Sequence, residues 1–145
     1  MIGGLKKELC QDEGCKYSIY KCTAGKLTFG IGHMIKPTDP EFNMPEGTVV
    51  MPMRVEEAFE QDVQGAIMDS CEIFDDYFLY PEEVQKIIAN MMFQLGINRF
   101  RTFKKMIAAI QDQDWSQAGD EMRDSLWNKQ THARSERLIA RMKAL

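Results

Sequence analysis

Hydrophobic positions follow two different spacings, which divide the chain into a short mixed part and a long helical part. Apolar residues recur at helical intervals over residues 2–9, and Gly14 can take the left-handed conformation that ends a helix. Residues 16–31 instead alternate apolar and polar side chains around glycines, which predicts a hairpin or a three-stranded sheet. Residues 36–47 are rich in proline and polar side chains and predict a loop.

Helical periodicity returns at Pro52, which is placed to begin a long amphipathic helix. Another helix is predicted to open at Pro81. It is nearly apolar on two sides and is followed by Gly96, so it should form the buried centre of a helical bundle. Three shorter amphipathic helices are predicted after it, at 100–110, 115–122 and 132–145. The fold class is therefore α+β and mainly helical.

Composition restricts the classes of function. The chain has 145 residues and 44% hydrophobic residues, which suits one globular domain with a sizeable core. A net charge of −4 gives no field that would attract nucleic acid. No apolar stretch is long enough for stable membrane insertion, and no N-terminal signal peptide is recognisable. Four cysteines without metal-ligand spacing predict free thiols, no metal site and no cofactor.

Three side chains that could take part in catalysis lie around the first predicted sheet. They are Glu13, Cys22 nine residues later and Thr28 six residues further on. Glu13 is placed in the last turn of the first helix, where unpaired carbonyls disfavour ionisation of a carboxyl group and suit it to act as a general acid. The run 13–33 resembles the catalytic region of the phage-type lysozymes, the muramidases of T-even phages and their relatives. In that family the three matching positions carry Glu, Asp and Thr, so Cys22 is a departure.

Three further motifs extend this resemblance over nearly the whole chain. They are Gln61-Asp62-Val63, the run 90–96 (NMMFQLG), and Ser125-Leu126-Trp127 followed by Gln130-Thr131 and Arg134. The resemblance implies one lysozyme-like domain, with a small β-hairpin lobe at 14–55 and a helical lobe formed by 56–145 together with 1–13. A long helix would join the two lobes, with a cleft between them.

The implied function is hydrolysis of the β-1,4 bond between N-acetylmuramic acid and N-acetylglucosamine in peptidoglycan. Glu13 would be the general acid, Cys22 would replace the family's carboxylate, and Thr28 would help to hold the water. A free thiol has a pKa of about 8.5 and is mostly protonated at neutral pH, and an ionised Glu13 beside Cys22 would favour the thiol further. Three alternatives stay open: a thiolate base with inversion, a sulfur nucleophile with retention, or an inactive site that only binds cell wall.

Other residues receive roles from the same resemblance. The counterpart of Arg134 approaches the catalytic carboxylate, Met34 and Phe93 match positions that line the glycan cleft, and His33 is expected to pair with Asp62. A different class of function, a cysteine hydrolase using Cys22 and His33, is disfavoured because no nucleophile elbow precedes the cysteine.

The resemblance also implies a biological setting. We expect a monomer that acts on peptidoglycan, accumulates in the host cytoplasm and reaches the cell wall with a holin-type export partner. Cys22 is also a candidate for oxidation, since Cys15 and Cys10 are near it in sequence and pairing with either would remove the thiolate.

Overall fold

The computed structural model describes residues 2–145 and begins with a helix followed by a small sheet. Helix α1 spans Leu5–Glu13. Strands β1 (Lys16–Lys21), β2 (Leu27–Gly30) and β3 (His33–Met34) form an antiparallel sheet in the order β1-β2-β3. The predicted hairpin or three-stranded sheet is therefore three-stranded.

Pairing between the strands gives the sheet two chemically different faces. Thr28 lies between two cross-strand partners, Tyr20 on β1 and Met34 on β3, so these three residues form one row. Phe29 pairs with His33 in the adjacent row, and their rings are 4.8 Å apart. Because successive residues of a strand point to opposite faces, the Thr28 row and the Phe29 row face opposite sides. Phe29 and His33 are both buried.

The rest of the chain is helical after the loop 36–47. Helix α2 spans Pro52–Ile73 and α3 spans Glu82–Leu95, with the prolines near their first turns as predicted. Five helices follow: α4 (Ile97–Phe100), α5 (Lys104–Gln111), α6 (Trp115–Arg123), α7 (Leu126–Gln130) and α8 (His132–Lys143). The α+β, mainly helical, lysozyme-like fold class is confirmed. No helix within residues 2–145 combines the length and the apolar character needed to cross a membrane.

The described chain divides into two compact units. The first, Gly3–Gly65, contains α1, the sheet, the loop 36–47 and the first part of α2. The second contains Ala66–Leu145 and Ile2. In the second unit, α3 is buried over most of its length, while α6 packs against α5 and α8. The lobe boundaries expected from the resemblance, 14–55 and 56–145 with 1–13, stay a prediction.

The single helix predicted at 100–110 is wrong, because α4 ends at Phe100 and α5 begins only at Lys104. The Thr102 hydroxyl donates to the carbonyl of Arg99 at 2.6 Å, and Phe103 leaves the helical region with ψ 58°. A threonine side chain that competes for helical carbonyls favours such a break. Helix α7 was not predicted, since its five residues are too few to give a periodic signal.

Candidate active site

Glu13 ends α1 and its carboxylate lies against Gly32, in the turn between β2 and β3. Gly14 stops the helix with φ 72° and donates its N–H to the carbonyl of Cys10 at 2.9 Å, which confirms the predicted helix end. A β-carbon built on Gly32 would stand 2.7 Å from Oε1 of Glu13 and 3.0 Å from its Cδ. Only a glycine at residue 32 leaves room for the carboxylate in this position.

Cys22 follows β1 and lies over a tight turn. Its N–H donates to the carbonyl of Lys26 at 2.9 Å, and the N–H of Gly25, at φ 76°, donates back to the carbonyl of Cys22 at 2.8 Å. Hydrogen bonds lower the pKa of the Cys22 thiol, and the backbone N–H of Lys26 has the largest effect. Partial burial acts in the opposite direction. The Ala24 N–H and the Thr28 hydroxyl lower the pKa further. The sequence analysis expected Glu13 to shift this pKa upward, and that direction is wrong because the donors in the turn lower it.

Thr28 is 2% exposed and lies on β2 beside this turn. Its Oγ1 donates to the carbonyl of Lys26 at 3.0 Å and also interacts with the sulfur of Cys22. A hydroxyl carries one proton, so donation to a thiolate competes with donation to the carbonyl. Thr28 is thus placed to respond to the charge on Cys22.

Tyr20 belongs to the same face of the sheet and was missed by the sequence analysis. Burial is the largest cause of its raised pKa, followed by the negative charges of Glu13 and Cys22, so both groups lie within electrostatic reach of the phenol. The Nζ of Lys16 lies 4.2 Å from the centre of its ring. The sequence could have indicated Tyr20 as a site residue, because it lies two residues before Cys22 and therefore on the same side of an extended chain.

His33 is held from both sides by carboxylates. As the imidazolium, it donates from Nδ1 to Asp62 at 2.7 Å and from Nε2 to Asp39 at 2.8 Å. Burial alone would lower the pKa of His33, but the hydrogen bonds to Asp62 and Asp39 outweigh burial and raise it. The predicted pairing of His33 with Asp62 is confirmed. Because both ring nitrogens are engaged, His33 is not available as a base for Cys22, which removes the basis for a cysteine hydrolase.

Arg54 extends this cluster toward the loop 36–47. Its Nε and Nη2 each donate to a different carboxylate oxygen of Glu41 at 2.9 Å, and Nη2 lies 3.4 Å from Oδ1 of Asp39. Glu41 is 7% exposed, and the guanidinium holds the pKa of its carboxyl below the usual value. The sequence analysis did not identify Arg54, Glu41 or Asp39, because nothing in their spacing indicates that they meet.

The remaining site residues of the sequence analysis fall in different places. Met34 is 49% exposed on β3, in the same row as Thr28. Phe93 lies on α3 and Arg134 on α8, both in the second unit, where Nε of Arg134 donates to Oδ1 of Asn90 at 3.0 Å. Within residues 2–145, no group of three His, Cys, Asp or Glu side chains is arranged to hold a metal ion.

Comparison with known proteins identifies the family. The sequence profile described as phage lysozyme matches residues 10–144. The chain belongs to the phage lysozyme family. Probable T4-type lysozyme 2 of Dictyostelium discoideum is 32% identical in an alignment that covers 97% of this chain and 94% of that protein. Peptidoglycan hydrolase gp36 of Pseudomonas phage phiKMV is 30% identical over 137 residues, 94% of this chain but 15% of that protein.

A third relative, the pre-baseplate central spike protein Gp5 of Enterobacteria phage T4, is 31% identical in the aligned region. That match covers 90% of this chain and 26% of the spike protein, so the likeness concerns one part of a larger molecule. Membership of the phage lysozyme family makes this chain a glycoside hydrolase of the muramidase type.

Proposed function

We propose that this phage lysozyme hydrolyses the β-1,4 bond between N-acetylmuramic acid and N-acetylglucosamine in peptidoglycan, with Glu13 as the general acid. Family membership and the name of the phiKMV relative, a peptidoglycan hydrolase, support the substrate. The observation that carries the proposal is the contact of the Glu13 carboxylate with Gly32, in the turn between β2 and β3 of the small sheet. Thr28 lies on that sheet, and β1 leads into Cys22.

Glycoside hydrolysis needs a proton donor for the leaving oxygen and a second group on the other side of the sugar. In this proposal Glu13 donates its proton to the glycosidic oxygen as the C–O bond breaks. The turn 22–26 favours the thiolate of Cys22, which is the form able to act as a base or as a nucleophile. Thr28, in contact with that sulfur, would hold the attacking water.

Two courses are open to Cys22. As a base, the thiolate takes a proton from water while the water oxygen attacks the anomeric carbon, and the product is inverted. As a nucleophile, the sulfur forms a glycosyl–sulfur bond. Water, deprotonated by the Glu13 carboxylate, then breaks that bond and the configuration is retained. The anomeric form of the first product distinguishes these courses.

The supporting residues receive more limited roles. Exposed Met34, beside Thr28 in the sheet, is assigned to contact the glycan. Phe93 is assigned to the glycan and Arg134 to support of the site on the family resemblance. His33 and Asp62 are assigned to support the loop behind the sheet rather than to chemistry.

A second candidate function follows from Cys22 itself, because a thiol stands where the family carries a carboxylate. In that case the chain would bind cell wall without cutting it. Glu13→Gln keeps the size of the side chain but removes the acid. The rate at which a peptidoglycan suspension clears should therefore be at least about 100-fold lower than with wild type. Glu46→Gln, in the exposed loop, is the matched control and should clear the suspension as wild type does.

Cys22→Asp and Cys22→Ala complete this test. A muramidase should keep or gain activity with Asp and lose it with Ala, since only Asp restores a group that can act as a base. If wild type binds sedimented peptidoglycan but releases no new reducing ends, while Cys22→Asp releases them, the binding module is the correct function. If neither releases them, the assignment of this site is wrong.

We also propose that the protein is a monomeric endolysin that accumulates in the host cytoplasm and reaches the wall with a holin-type partner. The phage family supports this setting. Expression in bacteria should leave the cells intact until a holin is co-expressed, and sedimentation should give a mass near 16.7 kDa. Lysis without a holin, or a dimer in solution, would contradict the corresponding part of the proposal.

A further inference from the structure

The small sheet is the basic part of an otherwise acidic chain. Residues 14–38 contain four lysines and no Asp or Glu, whereas the whole chain has a net charge of −4. Three of these lysines belong to the first hairpin: Lys16 and Lys21 on β1, and Lys26 in the turn between β1 and β2. Because opposite charges attract, this sheet is the part of the first unit that suits an anionic ligand.

Lys16 differs from the other two lysines because an aromatic ring holds its ammonium group. Its Nζ lies 4.2 Å from the centre of the Tyr20 ring, a distance at which a cation is attracted to the face of the ring. The strand is irregular between these two residues, since Lys16 pairs with Gly30 and Tyr20 pairs with Thr28. Along this stretch β1 advances four residues while β2 advances two, and such an irregularity bends a strand locally.

Lys16 and Tyr20 lie on the side of the sheet that carries the proposed catalytic residues. Tyr20 is directly opposite Thr28, so the two side chains point to the same face. The Glu13 carboxylate lies against Gly32, just beyond the other end of the short strand β2. The ammonium group of Lys16 is therefore beside the groups assigned to the reaction, within the same compact unit.

The positive charge of Lys16 is not neutralised by a neighbour. Lys16 is exposed, and within residues 2–145 no carboxylate forms an ion pair with it. Lys6 on α1, by contrast, binds Glu56 and Glu60 with Nζ–oxygen distances of 3.2 and 2.6 Å. An aromatic ring attracts a cation without cancelling its charge. It also restricts the lysine side chain, which reduces the conformational entropy lost when an anion binds.

We propose that Lys16, positioned by the ring of Tyr20, is a substrate-binding residue that pairs with a carboxylate of the peptide attached to N-acetylmuramic acid. This inference rests on the proposed muramidase function and adds to it the part of peptidoglycan that the small sheet recognises. Free carboxylates of that peptide lose their charge when they are converted to amides. The pairing therefore makes the enzyme prefer cell wall with free peptide carboxylates over cell wall in which they are amidated.

The test compares two forms of peptidoglycan freed of other wall polymers, one untreated and one with its carboxylates converted to amides. For wild type, KM should be about 3- to 5-fold higher on the amidated form with kcat unchanged, because the contact is equally strong in the ground state and the transition state. Lys16→Gln should show the raised KM on both forms. Lys21→Gln, on the opposite face of the same strand, is the matched control and should keep the wild-type difference.

Two variants of Tyr20 test how the ammonium group is held. Tyr20→Phe keeps an aromatic ring and should keep the effect of amidation on KM, whereas Tyr20→Leu should reduce it. In wild type the effect should also shrink as salt is raised from about 20 to 200 mM, because ions screen a pair at the surface. The assignment to Lys16 is overturned if Lys16→Gln stays as sensitive to amidation as wild type, or if Lys21→Gln loses that sensitivity.

Failure of the muramidase function would be recognised separately. If wild type releases no reducing ends from either form, that function is wrong, and co-sedimentation with the two forms then measures the subsite alone. Wild type should bind the untreated form about 3- to 5-fold more tightly than the amidated form, and Lys16→Gln should bind both alike. Equal binding of the two forms by wild type would overturn the subsite.

Discussion

The carboxylate of Glu13 rests on the backbone of Gly32, with room for a hydrogen but not for a methyl group at that Cα. The contact joins the end of α1 to the turn that precedes β3. Gly32 also has φ 66°, a conformation that glycine adopts more readily than other residues. Gly32, which has no side chain, thus determines the position of the Glu13 carboxylate.

We expect Gly32→Ala to reduce lytic activity by about 10- to 100-fold, because the new methyl group forces the Glu13 carboxylate out of position. The measurement is the initial rate of peptidoglycan clearing together with the thermal midpoint. Gly47→Ala, in the loop 36–47, is the matched control: its φ is 91°, but an added β-carbon there meets nothing within 4 Å. Both variants should lose stability through backbone strain, and equal losses of activity would contradict the role of the contact.

Replacing Asp62 with Asn should lower the free energy of unfolding by about 1–3 kcal/mol near pH 6 and by less near pH 9. The pKa of His33 is raised in the folded state, so its contribution is fully present below the ordinary histidine pKa of about 6.5 and is lost as the pH rises through the folded value. Denaturant unfolding at the two pH values measures the difference. Asp112→Asn, at an exposed helix end, is the control and should change little at either pH.

The ion pair between Arg54 and Glu41 can be tested by a double-mutant cycle. Arg54→Gln leaves the buried Glu41 carboxylate without its forked partner and should cost about 2–4 kcal/mol at pH 7. Adding Glu41→Gln should recover part of this loss, since the uncompensated charge is gone. The pKa of Glu41 is lowered in the folded state, so the pair's contribution is present above the ordinary Glu pKa and disappears on acidification. Strictly additive losses would show that the two groups do not interact.

Local patterns in the sequence were sufficient to predict several elements of the fold. The end of α1 at Gly14 and the strand β1 follow from a glycine signal and from alternation, both of which act within a few residues. The helix expected at 100–110 failed because its apolar spacing continues through Thr102, whereas the chain is interrupted there by a side-chain hydrogen bond.

The candidate site was predictable in its residue types and less so in its environment. The spacing of Glu13, Cys22 and Thr28 was recognisable in the chain, as was the pairing of His33 with Asp62 through the family. The lowered pKa of Cys22 was not, because it depends on where three backbone N–H groups point in a turn. The contact of Arg54 with Glu41 could not be predicted from local sequence patterns either, because it forms only when the loop 36–47 and α2 are folded together.

The pH dependence of catalysis should reveal whether the Cys22 thiolate takes part. Between about pH 5 and the pKa of Cys22, the fraction of thiolate rises about tenfold per pH unit, whereas an aspartate at residue 22 is already ionised. The ratio of wild-type to Cys22→Asp activity should therefore rise with pH. Thr28→Val removes a hydroxyl that lowers the pKa of Cys22, so iodoacetamide should then react with Cys22 only at higher pH. Thr38→Val, in the exposed loop, should leave that reaction unchanged. A flat activity ratio together with an unshifted thiol would mean that the sulfur is a spectator, and that water attacks the sugar without its help.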